Sequence, residues 1–254
     1  MENILNDFDW DKSAILEPWM TITKLDNFPE IGVATFSGKL MESLKEWDNT
    51  EQIGEITTAN GASPIYKIIY EGQPVAVFKA LVGAPACVAA FEEVIAMGLN
   101  KLILFGSCGV LNHKIADGHI VIPTSAVRDE GTSYHYLPAS DEIKLEGECI
   151  EVVEGVLKKL NYPYVLGKTW TTDGVYRETK VKVEKRKKQG CICVEMECSA
   201  MAAVAKFRNV KFAQFLYAAD NLDSPNWQPR GFGKHSLSQK EKLLAAALEC
   251  GINL

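Results

Sequence analysis

Residues 191–220 read CICVEMECSAMAAVAKFRNVKFAQFLYAAD, and this stretch decides the fold. It opens on an apolar run of strand length at Cys191–Val194. An alanine-rich helical pattern follows from Glu197 to Asn209, and a second apolar run occupies Lys211 to Asp220. Strand, helix and strand in direct succession read as a βαβ unit, the crossover that builds parallel sheets. Both runs are apolar at successive rather than alternate positions, which marks strands covered on both faces. Glu195 and Glu197 flank Met196 in this apolar setting. Glutamate is almost never fully buried unless it is paired. The two carboxylates therefore either reach solvent at a strand end or serve a site.

The same alternation extends outward from this unit. Upstream, VAVFKALVG (75–83) reads as a buried strand, and PACVAAFEEVIAMG (85–98) as a helix with Pro85 at its start and Gly98 at its end. KLILFG (101–106) and HIVIPTSAV (119–127) are further strands. A helix over 140–161 would put Ile150, Val153, Leu157 and Leu160 on one stripe. YVLGKTW (164–170) is a strand, and the basic run at 180–190, which contains Glu184, reads as a solvated helix face. A last helix opens at Ser238, with Glu241 completing a capping box, and ends at Gly251. These elements predict an α/β protein: a single domain over 1–254, with a mixed, mostly parallel central sheet flanked by helices on both faces. Residues 1–30 form an N-terminal extension.

Composition narrows the function. The chain has 254 residues, a net charge of −6 and 47% hydrophobic residues, ordinary for a folded globular protein and unfavourable for a general nucleic-acid binder. Its seven cysteines include no Cys-x-x-Cys pair, so neither a disulfide framework nor a metal site is expected. The acidic start MENILNDFDWDK lacks a secretion signal, and no apolar run is long enough to span a bilayer. A cytoplasmic protein with no membrane partner is expected.

Ligands of such sheets sit beyond the carboxyl ends of the strands. Four strands here end in small, hydroxyl or carboxylate groups: Gly106-Ser107-Cys108-Gly109, Thr171-Thr172-Asp173-Gly174, Glu195-Met196-Glu197 and Asp220-Asn221. The bland alternatives are a turn or N-cap for Asp220-Asn221, core filler for Met196, and an aromatic edge for Tyr134, His135 and Tyr136.

GAPACVAAFEEVIAMGLNKLILFGSCGVL (83–111), CVEMECSAMAAVAKFRNVKF (193–212) and AADNL (218–222) resemble the nucleoside phosphorylases of the hexameric type, over roughly residues 30–222. That group includes purine nucleoside phosphorylase, uridine phosphorylase and the methylthioadenosine nucleosidases. The resemblance implies cleavage of a nucleoside's N-glycosidic bond through an oxocarbenium-like state. It assigns Glu197 to the ribose hydroxyls, Met196 to the sugar and Glu195 to the same sugar site. Asp220 becomes the general acid at the base, and Val175 and Tyr176 fall where the family places an aromatic against the base, with valine at the aromatic's own position. Ser107 and Gly106 would hold the nucleophile. No cofactor is implied beyond inorganic phosphate as co-substrate, and the partner is a second copy, in a homodimer or hexamer.

The departures matter as much. The family clamps phosphate with arginines, whereas here the early loop reads TFSGKLM, with only Lys39 near, and Leu104 precedes Phe105-Gly106. The segment that would donate a neighbour's arginine reads TANGASP (58–64). Arginine is the residue suited to bidentate phosphate capture. Lys39 or Arg128 could replace the missing charge. Phosphorolysis of a purine-type nucleoside to free base and ribose 1-phosphate is the expected reaction. Hydrolysis, or a nucleoside-binding protein without turnover, stays open.

Overall fold

The computed structural model describes residues 4–59 and 61–254. A 3₁₀ turn and the one-turn helix α1 (Pro18–Thr21) lead into β1 (Ile31–Thr35), α2 (Gly38–Leu44) and the antiparallel meander β2 (Thr50–Thr58), β3 (Gly61–Tyr70) and β4 (Gln73–Lys79). Next come α3 (Ala84–Met97), β5 (Lys101–Val110), β6 (Ile120–Asp129) and the short β7 (Glu142–Lys144). The chain continues through α4 (Gly147–Lys159), β8 (Tyr164–Thr172), α5 (Lys180–Lys188), β9 (Cys191–Glu195), α6 (Cys198–Arg208), β10 (Lys211–Asn221) and α7 (Leu237–Asn253).

The sheet is mixed, in the order β10-β6-β8-β9-β5-β1-β4-β3-β2. Parallel ladders join β4–β1, β1–β5, β5–β10, β6–β8 and β8–β9. The antiparallel contacts are the meander, the edge strand β7, and short pairings of β10 with β6 and β5 with β9. Because β10 pairs with both β5 and β6, strands β5, β10, β6, β8 and β9 close on themselves as a ring. That closure was not foreseen from the strand pattern.

Each face of the sheet has its own apolar layer. α3 and α6 supply Phe91, Val94, Met201 and Val204 to one core, and α2, α4 and α7 supply Leu40, Leu44, Val153, Leu157, Leu244 and Leu248 to the other. α6 buries every residue from Cys198 to Ala205, as its alanine-rich, small-residue composition permits. Pro85 and Gly98 bracket α3 as expected.

Several expectations shift. Helix α7 is capped by Ser236 with Gln239 rather than by Ser238 with Glu241, and it runs through Gly251 to Asn253. Residues 142–144 form an edge strand, so the helix there begins only at Gly147. Leu160 lies just past that helix and is 42% exposed, off the buried stripe. In the basic run, Arg186 is buried, stacked over Trp170 and paired with Asp129 at 2.9 Å, instead of facing solvent. All seven cysteines are free and buried. Among the described residues no helix is long and apolar enough to cross a membrane, and no cluster of potential metal ligands occurs.

Candidate functional site

Hydrogen bonds join the exits of β8 and β9, and the β10–β5 ladder joins the other two. At the end of β9, Glu195 turns back into the protein. Its Oε1 accepts from the hydroxyls of Thr171 (2.6 Å) and Thr169 (3.3 Å). Its Oε2 accepts from the backbone N–H groups of Glu197 (2.7 Å) and Cys198 (2.6 Å). Glu195 thus satisfies the orphan donors at the start of α6, a task the N-cap residue's own side chain does not perform. Burial raises its pKa against the pull of these four donors. Expected among the ribose contacts, Glu195 has its two oxygens taken up by these four protein donors.

Those four bonds leave Glu197 free of capping duty. Its Oε1 accepts from the backbone N–H of Gly83 at 2.7 Å. Gly83 sits at φ +95°, a conformation open to glycine, and precedes α3. The Glu197 carboxyl is 95% shielded from solvent, and burial, with the Glu195 charge beside it, pushes its pKa up to about 8. Met196 between them is half-buried.

Asp220 owes its direction to a β-bulge. The β10–β5 register shifts between Ala218 and Asp220, so Ala219 is extra and Asp220 pairs with Gly109. A Cβ on Gly109 would lie 2.5 Å from Leu222 Cδ1 and 3.2 Å from Asp220 Oδ1, so glycine is what leaves room for the carboxylate. Trp227 Nε1 donates to Asp220 Oδ2 at 2.7 Å, and burial raises the pKa of the acid. Asp220 faces a groove of about 950 Å³ shared with Val175, Tyr176, Glu178, Trp227 and Phe232. Tyr176 is 96% exposed and Val175 about half-exposed, so neither is packed against the protein. Glu178, not singled out by the sequence reading, is pushed up to about 7 by burial and by the Asp220 charge.

Ser107 and Gly106 line a second cavity of about 210 Å³ with Thr35, Ser37, Tyr217, His235 and Lys240. Phe232 forms a wall of both cavities. Neither substitute for the missing arginines is in place. Lys39 is exposed and lines neither cavity. Arg128 is buried and committed to Ser133 Oγ (2.8 Å), Ser140 Oγ (2.8 Å) and the carbonyls of Pro138 and Leu137. The segment 58–64 contains Asn60, which lies outside the described residues. Trp227, Glu178, His235 and Lys240 were missed because they lie in or after loops, where no strand exit marks them.

Carboxylates stand at the exits of β9 and β10, and Asp220 lines a groove of the size small-molecule sites have, whereas Glu195, Met196 and Glu197 line neither that groove nor the cavity at Ser107. Residues 30–249 match the model of the phosphorylase superfamily, and the chain belongs to that family. It is 22% identical over 172 residues to a guanosine phosphorylase of Halorubrum lacusprofundi, covering 68% of this chain and 71% of that protein. It is 32% identical over 137 residues to a uridine phosphorylase of Thermococcus kodakarensis, covering 51% of this chain and 46% of that one. Against some curated relatives, then, the match spans only about half of their length. A solved purine nucleoside phosphorylase from Toxoplasma gondii superposes with a TM-score of 0.76 at 19% identity, over 89% of this chain and 92% of that one. At that identity the likeness is one of fold.

Proposed function

We propose that the protein cleaves the N-glycosidic bond of a purine-type nucleoside by phosphorolysis, releasing the free base and ribose 1-phosphate. The observation that carries this reading is the division of labour between two carboxyl groups. Glu197, buried and held at Oε1 by the Gly83 backbone N–H, can accept from ribose hydroxyls, and in its ionised form favours an oxocarbenium-like ring. Asp220, raised by burial and oriented by Trp227, can deliver a proton to a departing base. Glu178 adds a second acid to the base groove, which suits a ring carrying several N–H and exocyclic groups. Met196 packs on the sugar, Val175 and Tyr176 flank the base, and Ser107 with Gly106 receives the nucleophile. The active form is a homodimer or hexamer, as in the resemblance.

Hydrolysis is the second reading, favoured by one observation: no arginine lines the cavity at Ser107. To separate the two, inosine, guanosine, adenosine, methylthioadenosine and uridine are incubated with and without phosphate and the sugar is identified. Phosphorolysis gives ribose 1-phosphate only when phosphate is present. Free ribose at equal rates in both buffers assigns water as the nucleophile, and uridine as the preferred substrate overturns the purine reading.

A further inference from the structure

The cavity at Ser107 differs in character from the base groove. Among the described residues, no carboxylate lines it, and Lys240 is the one full cation that does. The groove beside it holds Asp220, Glu178, Glu184 and Asp223. Lys240 lies in the first turn of α7, and its ammonium has no hydrogen bond or ion pair to any described residue. His235 precedes that helix. Its side chain is 8% exposed and its ring meets that of Tyr217 edge-on, with centroids 4.7 Å apart. Its Nε2 is 3.8 Å from Asp117 Oδ1. Tyr217, Thr35 and Ser37 add three hydroxyls to that of Ser107 on the same wall.

An ammonium without a partner among the described residues, on the wall of a cavity that hydroxyls line and no described carboxylate does, suits an anion. We infer that Lys240, with His235 at its side, supplies the charge that holds phosphate against Ser107, in the role that neither Lys39 nor Arg128 can fill. This rests on the phosphorolytic reading above. The two cavities lie side by side: Ala219 lines this one, the next residue, Asp220, lines the other, and Phe232 borders both. A phosphate oxygen bonds to C1′ as the C1′–N bond breaks. The bond's electron pair leaves with the base, the Asp220 proton neutralises it, and ribose 1-phosphate and free base result. Lysine serves as a point charge rather than a fork, so the hydroxyls take over the directional part of recognition.

Phosphate on a nucleotide's own 5′ position would present the same chemistry, and the experiment distinguishes the two sources. Inorganic phosphate is titrated calorimetrically into wild type, Lys240→Gln and Lys240→Arg, with melting curves taken in phosphate-free buffer. Losing one charge-assisted contact is expected to weaken phosphate binding about tenfold to a hundredfold in Lys240→Gln. Lys240→Arg retains most of the binding, and all three proteins melt alike. In turnover of guanosine or inosine, the KM for phosphate rises in parallel while kcat changes little. Phosphate binding by Lys240→Gln equal to wild type, or none by wild type, overturns the inference. So does a raised KM for inosine 5′-monophosphate with inorganic phosphate binding untouched, since that assigns the pocket to the nucleotide. If Lys240→Gln weakens phosphate binding but no ribose 1-phosphate forms in any protein, Lys240 stands as the anion ligand and the phosphorolytic reading alone falls.

Discussion

At the scale of single residues, Glu197 is where the functional and the purely structural reading of a buried carboxylate predict different outcomes. Its Oε1 accepts from the Gly83 amide, and a glutamine oxygen can accept the same bond. Glu197→Gln should therefore keep the fold and lose about 10²–10³ in kcat, the scale of a removed electrostatic group. Its pH behaviour adds a second check. The folded pKa of about 8 lies above the ordinary 4.5, so the native state binds a proton that the unfolded chain has released between those values. This contribution to stability is whole below pH 4.5 and is lost as pH rises through 8. Glu197→Gln removes that slope, so the variant should melt above wild type at pH 8.5 and no higher at pH 4.5. Normal turnover with a lowered melting point at both pH values would show that Glu197 only props up the chain. Asp220 and Met196 drew notice because they stand at strand exits, and the structure puts Asp220 on the wall of a groove and leaves Met196 half-buried. Glu195 was legible as a position but not in its duty, since a single sequence does not reveal which of two neighbouring carboxylates caps the next helix.

At the scale of elements, the start of α6 depends on a strand other than the one that precedes it. Thr171 on β8 donates to Glu195, and its hydroxyl also accepts from the backbone N–H of Ser199 at 3.0 Å. Glu195→Gln converts one acceptor oxygen into a donor facing either hydroxyls or two N–H groups. A buried group left facing another donor costs about 1–3 kcal/mol. Glu195→Gln should thus lower the melting temperature, the reverse of Glu197→Gln at high pH, and reduce turnover only by displacing Met196 and Glu197. A melting curve unchanged from wild type would remove this capping role. Helices were readable by their period and caps, and the shift of the last cap from Ser238 to Ser236 is the ambiguity of two serines two residues apart. The β-bulge at Ala219 left no sequence mark, because alanine fits a regular strand equally well.

At the scale of the whole molecule, the α/β class and its two apolar layers followed from runs such as KLILFG and KFAQFLYAAD. Closure of the sheet did not, because which strands become neighbours depends on pairing between distant segments. The N-terminal segment leaves Trp10, Ile15, Leu16, Trp19 and Met20 largely exposed, apolar area of the kind that association covers. Sedimentation at micromolar concentration should accordingly give at least a dimer, and a stable monomer near 28.1 kDa would contradict the proposed assembly. The hydrogen bond from Gly83 to Glu197 reaches across 114 positions of chain and joins the mouth of α3 to the start of α6. Its amide proton sits directly on the carboxyl group whose ionisation matters, while belonging to a residue with no side chain to complicate its signal. In a nuclear magnetic resonance spectrum, that one resonance is a built-in voltmeter: its shift follows the charge on Glu197 as the solution is titrated and as ribose arrives.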